Sequence, residues 1–215
     1  GYNILSLPGG NTGAQMGGWS LKEIRTASDF KGLKIRVGGG LIGQVMARLG
    51  AVPANLPGGD IFRALQTGEL DAAEWIGPYD DQKLGLHKVA PYYTYPGWWE
   101  GGPEMDFYLH RKAFDALPAD YRAIVRAASA QAHAYMLTKY DAVNPNALKQ
   151  LVAAKVKVIP FSHSVMEAAF RATSDIFASN ESQSPEWKKI YADMRDFQRD
   201  QVLWYRFAEM RYDAF

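Results

Sequence analysis

Arg36 closes a short run of alternating character, Leu33-Lys34-Ile35-Arg36-Val37, and three glycines follow it. The alternation predicts a strand, and the glycines a turn at its end. A strand end that opens into a crevice is where α/β sheets receive ligands. The planar guanidinium fork matches a carboxylate through paired hydrogen bonds. The plainer reading of Arg36 is a surface strand residue paired with a neighbouring acid. Gly38-Gly39-Gly40 let a backbone come close, but they lack the GxGxxG spacing and the Lys-Ser/Thr ending of phosphate loops.

Oxygen donors gather in the same part of the chain. Glu74 and Trp75 end a predicted strand over residues 70–75, next to the Gly77-Pro78 turn. Glu100 sits in the loop Trp99-Glu100-Gly101-Gly102, and Gln15 in the first glycine-rich loop. Two carboxylates, an amide oxygen and carbonyls from loose glycine loops suit a hard cation such as Na⁺ or Ca²⁺. Either acid taken alone reads more readily as a solvated charge; only as a pair at two strand-end loops do they read equally well as a site.

Other chemistry finds less support. The chain has no Cys, which removes thiol catalysis, disulfides, Cys-ligated zinc and iron–sulfur sites. None of His87, His110, His133 and His163 has zinc-helix spacing. Ser162-His163-Ser164 reads as a loop before a helix, and no GxSxG elbow exists. An enzyme on this scaffold therefore lacks a nucleophile–base pair. Asp80-Asp81 reads as a helix N-cap region. The net charge of +1, from 24 basic and 23 acidic residues, gives no footprint for nucleic acid.

The elements that must hold these residues follow from periodicity. Strands are predicted over residues 2–7, 33–37, 51–56 and 70–75, with helices over 41–49 and from Asp60 to about residue 66. This strand–helix order implies parallel strands with crossovers and a three-layer α/β lobe. Further on, residues 80–89 read as helical, 92–95 and 105–110 as extended, and 118–141 as a long helix that Asn144-Pro145 breaks or kinks. A strand over 155–160 and a helix over 164–178 follow. Last, Trp187, Ile190, Met194, Phe197, Trp204 and Ala208 form one apolar stripe. A single helix over 185–212 would be about 42 Å long, either wrapped along the lobes or packed on a second subunit. No stretch approaches the roughly 20 apolar residues of a membrane span. The abrupt, strand-like opening at Gly1-Tyr2-Asn3-Ile4-Leu5 reads as a mature fragment or a truncated relative of something longer, with no leader of its own.

Three segments resemble one known family. Asn11-Thr12-Gly13-Ala14-Gln15-Met16-Gly17-Gly18-Trp19, Phe30-Lys31-Gly32-Leu33-Lys34-Ile35-Arg36 and Leu56 through Gly68 are similar to the extracytoplasmic solute receptors of tripartite ATP-independent periplasmic (TRAP) transporters. The runs Asp71 through Asp81 and Tyr95-Pro96-Gly97-Trp98-Trp99-Glu100 resemble its branch of 2-oxo acid and lactate receptors.

The resemblance implies a non-enzymatic receptor with a type II periplasmic-binding-protein fold and a long C-terminal helix. It implies that Arg36 clamps the substrate carboxylate. It also implies that Gln15, Glu74, Glu100 and the Trp75 carbonyl hold a metal cation, Na⁺ or Ca²⁺. Arg36, Gln15, Trp75 and Glu100 would touch the acid. Residues 1–100 would be mainly the second lobe, with the ligand-binding strand ends. Residues 101–184 would be the rest of the first lobe and the inter-lobe helices, and residues 185–215 a dimerisation arm. Partners would be a small carboxylate, the TRAP membrane subunits in the full-length protein, and a second copy through the C-terminal helix. The location would be the periplasm. The alternative is a truncated descendant that no longer binds solute and persists as an oligomeric interaction protein. Arg36→Ala is expected to remove anion binding without unfolding the chain, since a strand-end Arg contributes little packing.

Overall fold

The structure is a computed structural model and describes residues 2–214. The chain divides into two compact units, residues 1–168 and 169–215. In order, the first unit contains β1 (Ile4–Asn11), β2 (Gly18–Ser20), β3 (Lys34–Arg36), α1 (Gly40–Arg48), β4 (Val52–Ala54), α2 (Gly58–Thr67) and β5 (Ala72–Ala73). It continues with α3 (Pro78–Leu84), β6 (Tyr92–Tyr95), β7 (Glu104–His110), α4 (Arg111–Asp115), α5 (Ala119–Ala153), β8 (Lys157–Pro160) and the start of α6 (His163–Gln183).

Six strands form one sheet in the order β4-β3-β5-β2-β6-β8. Successive strand residues face opposite sides, and the core follows that rule. Ala72 joins a cluster with Phe30, Ile35, Val37, Met46 and Val165. Its neighbour Ala73 joins the other, with Trp19, Ile61, Leu65, Tyr93 and Leu151. Helices α1 and α6 supply the first cluster, and α2 and α5 the second, so the expected three-layer α/β arrangement is present.

The sheet is mixed rather than wholly parallel. β3 runs parallel to β4 and β5, but β2 is inserted antiparallel between β5 and β6. Gly18-Trp19-Ser20 is too short to show alternation, and patterning raises no expectation of a strand there. Gly18 has φ +96°, and a Cβ there would lie 2.5 Å from the Ala73 carbonyl oxygen, so only glycine admits this strand.

The first strand also differs from expectation. β1 extends through Pro8-Gly9-Gly10 to Asn11 and pairs antiparallel with β7 in a separate ribbon, with a register shift between Pro8 and Gly10. Helix α5 runs 35 residues and passes through Pro145 without ending. The carboxamide oxygen of the adjacent Asn144 accepts from the Tyr79 amide at 3.1 Å, which ties this part of α5 to the start of α3.

The second unit contains the rest of α6, then α7 (Pro185–Phe207) and α8 (Glu209–Asp213). Ser184 caps α7 by accepting from the Trp187 amide at 3.1 Å, and Pro185 stands at its first position. Phe177 of α6 packs edge-on against Trp187 and Tyr191 of α7. The predicted single helix over 185–212 is interrupted at Ala208, whose φ −102° and ψ −104° are not helical. The 23 residues of α7 span about 35 Å. Ile190, Met194, Phe197 and Trp204 of the predicted stripe are exposed. No described helix is long and apolar enough to cross a membrane.

Candidate functional site

Strand direction brings the site together. β2 opposes both β5 and β6, so β3, β5 and β6 all point the same way. Arg36 is the last residue of β3, Glu74 and Trp75 directly follow β5, and Glu100 lies in the loop after β6. β2 starts at that same edge, and Gln15 is three residues ahead of it.

Backbone hydrogen bonds then lock these loops to one another. The Glu74 amide donates to the Arg36 carbonyl at 3.1 Å. The Gln15 amide donates to the Glu100 carbonyl at 3.1 Å, and the Gly97 amide to the Gln15 carbonyl at 2.8 Å. Met16 donates to the Ile76 carbonyl at 3.1 Å. A Cβ on Gly97 would sit 2.6 Å from the Met16 carbonyl oxygen, so a side chain there would push the Glu100 loop off the Gln15 loop.

Arg36 is 8% exposed and Glu74 3%, so neither is a surface charge. The Arg36 Nη1 lies 2.5 Å from Glu74 Oε1 and donates to the Glu74 carbonyl at 3.0 Å. Nε donates to the Leu56 carbonyl at 3.0 Å. The guanidinium carbon stands 5.1 Å from the Trp75 ring centroid, in cation–π range. Among the described residues Nη2 has no hydrogen-bond partner. Arg36 thus pairs with an acid, as the plainer reading expects, but from a buried position rather than at the surface, and it keeps one donor edge free.

Burial pushes the Glu74 carboxyl up to about 7; the Arg36 guanidinium opposes that rise and the Glu100 charge adds to it. Burial also raises Glu100, again against Arg36. Lost hydration thus disfavours the charged form of each carboxyl, and a cation nearby would favour it.

Gln15 supplies the observation that bears on a cation. Its side chain is 7% exposed, and one end of its amide meets the Trp75 carbonyl at 3.0 Å and the Glu100 carboxylate. Turned one way, Nε2 donates to both acceptors. Turned the other, Oε1 joins two further acceptor oxygens, an arrangement that a cation or a proton on Glu100 would hold together. The donor set of one amide, one carbonyl and one carboxylate oxygen fits a hard cation. Among the described residues no three His, Asp or Glu side chains gather as a zinc site would require. Glu74 is turned toward Arg36, and its hydrogen bonds go to Arg36 and the Gly38 amide.

Asp81 was legible only as part of a helix start. In the structure α3 begins at Pro78 with Gly77 before it, and Asp81 is fully buried. Its carboxylate accepts from Trp19 Nε1 at 2.9 Å, the Tyr93 hydroxyl at 2.8 Å and the Ile76 amide at 3.0 Å. Burial pushes this group up to about 6 from 3.8, against the pull of those donors. Between these values the folded chain keeps a proton that the unfolded chain has released. Stability therefore falls as pH rises from about 4 to about 6, by at most about 3 kcal/mol from this group. Chemical denaturation should show wild type losing ground to Asp81→Asn across that window; a constant difference between them contradicts the assignment.

Comparison with known proteins places the chain. Residues 1–183 match the family described as bacterial extracellular solute-binding protein, family 7, and the chain belongs to it. It is 47% identical, over 214 residues, to the monocarboxylate 2-oxoacid-binding periplasmic protein of Nostoc sp., covering all of this chain and 58% of that protein. A TRAP transporter solute-binding protein from Bordetella bronchiseptica is 46% identical with a TM-score of 0.95, over 99% of this chain and 63% of that one. That structure is a mixed-occupancy dimer with copurified calcium and picolinate. The TRAP periplasmic solute-binding protein of Pseudoalteromonas atlantica, with bound sodium and pyruvate, is 41% identical with a TM-score of 0.94, over 100% of this chain and 65% of that one. The chain thus spans roughly three fifths of the relatives it matches. Its fold is that of TRAP solute-binding proteins, and its family is one of receptors rather than enzymes.

Proposed function

We propose that this chain carries the cation- and carboxylate-binding part of a periplasmic TRAP receptor for small 2-oxo or 2-hydroxy monocarboxylates such as pyruvate and lactate. The observation that carries the reading is the convergence of Gln15, the Trp75 carbonyl and Glu100 at the sheet edge that also holds Arg36 with its free Nη2. In this reading Gln15, Trp75 and Glu100 hold Na⁺ or Ca²⁺, with Glu74 close by as the second carboxylate after Glu100. Arg36 takes the ligand carboxylate, and Trp75, Gln15 and Glu100 border the acid. A 2-oxo acid suits such a site because its carboxylate and adjacent oxygen can face the cation together. Arg36, Glu74 and Glu100 sum to −1, so Na⁺ brings the site to neutrality and Ca²⁺ to +1. With Ca²⁺ bound a monoanion completes neutrality, and a second carboxylate on the ligand would add an unpaired charge.

Thermal denaturation tests this directly. Pyruvate at millimolar concentration should raise the melting temperature in the presence of Na⁺ or Ca²⁺, by mass action on the folded state. Succinate should raise it less. No shift with any 2-oxo or 2-hydroxy acid overturns the reading and favours a chain that has lost its solute.

The second unit supports a homodimer in the same proposal. Phe197, Leu203, Trp204 and Phe207 of α7 are 59–77% exposed, which is costly in a solitary helix. The solved Bordetella relative is a dimer. Sedimentation should give a dimer for the chain and a monomer for Phe197→Asp/Trp204→Asp; an unchanged mass contradicts an interface on α7. In a full-length protein the TRAP membrane subunits would be the further partners.

A further inference from the structure

Asp81 touches none of the residues proposed to hold the cation through their side chains, yet it grips the peptide that offers the carbonyl. Asp81 Oδ1 accepts from the Ile76 amide at 3.0 Å. That N–H belongs to the same peptide unit as the Trp75 carbonyl. A trans peptide is planar, with its N–H and C=O pointing in opposite directions. Drawing the N–H toward Asp81 therefore turns the Trp75 oxygen toward Gln15, whose amide it meets at 3.0 Å.

The other carboxylate oxygen is anchored away from the site. Oδ2 accepts from Trp19 Nε1 at 2.9 Å and from the Tyr93 hydroxyl at 2.8 Å, and those two rings stack at 4.0 Å in the core between β2 and β6. The Asp81 amide donates to the Gly77 carbonyl at 3.0 Å, which closes the first turn of α3 directly after the gripped peptide. One residue on, the Ile76 carbonyl accepts from Met16, next to Gln15. A single buried acid thus joins the sheet core to the peptide of one proposed oxygen donor, and the next carbonyl along ties that peptide to the loop of Gln15. A carboxylate that accepts from a peptide N–H also polarises that peptide and adds negative charge to its carbonyl oxygen.

We propose that Asp81 is a positioning residue for the cation site, aiming and polarising the Trp75–Ile76 peptide so that its carbonyl binds the cation. The inference rests on the functional reading above and adds a residue that reading does not use. Its role parallels that of the outer partners that orient histidines and carboxylates at metal centres, where loss of the partner typically lowers metal affinity 10- to 100-fold.

The test uses the 215-residue chain with Ca²⁺ as the probe, by calorimetry well below the melting temperature, in wild type, Asp81→Asn and Tyr93→Phe. Tyr93→Phe removes one donor to Oδ2 and leaves the Ile76 contact in place. The expected result is a loss of Ca²⁺ affinity of about tenfold or more in Asp81→Asn and a change of under about twofold in Tyr93→Phe, though both lower the melting temperature. Equal Ca²⁺ affinity in wild type and Asp81→Asn, or equal losses in the two variants, overturns the positioning role while the cation site stands. A wild type that ignores Ca²⁺ and Na⁺ overturns the cation reading itself. Should Asp81→Asn not fold, carbon and nitrogen NMR of the wild type decides. Ca²⁺ should shift the Trp75 carbonyl carbon and the Ile76 amide nitrogen together; an unmoved pair beside a bound ion overturns the inference.

Discussion

Arg36→Ala is expected to lower affinity for pyruvate by about 30-fold to several thousandfold, the 2–5 kcal/mol range for truncating one partner of a buried, hydrogen-bonded charge pair. The structure also reverses the expectation that this change is harmless to the fold. Arg36 is buried, with Nη1 and Nε committed to Glu74 and Leu56 and the guanidinium beside the Trp75 ring. Its removal leaves the Glu74 carboxyl, 3% exposed, without its counter-charge. Breaking a buried pair in this way costs roughly 3–5 kcal/mol, a large part of the ~5–15 kcal/mol that holds a typical domain folded. The informative variant is therefore Arg36→Met with Glu74→Gln, which removes both charges and keeps most of the volume. It should fold and still fail to bind pyruvate, as read by calorimetry. Retained affinity in that double variant would remove Arg36 from the binding account.

The second large effect belongs to Glu100. Its carboxylate is the one full negative charge among the three converging oxygens, since Glu74 is turned to Arg36. Unit charges 4 Å apart interact by about 4 kcal/mol at an effective dielectric of 20, and every 1.4 kcal/mol is tenfold in affinity. Glu100→Gln should thus weaken Ca²⁺ binding on the order of a hundredfold or more, and pyruvate binding with it. Direct titration of Ca²⁺ measures the first, and pyruvate titration at fixed Ca²⁺ the second. Ca²⁺ affinity within a few-fold of wild type would place the ion elsewhere.

The legible parts of the site share one physical cause. Arg36, Glu74 and Trp75 each follow a short apolar run and precede glycines, so their positions at strand ends could be read from patterning alone, and Glu100 could be read as a loop residue beside glycines. Parallel strands then carry them to one edge without further information. The proposed cation set of Gln15, Trp75 and Glu100 needed more, since a carbonyl oxygen has no residue signature and Gln15 lies before a strand three residues long. The burial of Asp81 could not be read at all. An acid in the first turn of a helix looks the same whether it faces water or a tryptophan and a tyrosine from two neighbouring strands. Of the two outcomes expected at Pro145, a break is absent: the local preference of proline ends helices, and packing of α5 against α3 and β1 carries the helix on.

The most direct measurement is a crystal structure of this chain grown with Ca²⁺ and pyruvate, with anomalous data to place the ion. The account predicts an anomalous peak about 2.3–2.6 Å from Gln15 Oε1, the Trp75 carbonyl and the Glu100 carboxylate, with the pyruvate carboxylate on Arg36 Nη2. Arg36 and Gln15 facing empty solvent, or calcium bound at any other group of residues, would contradict it.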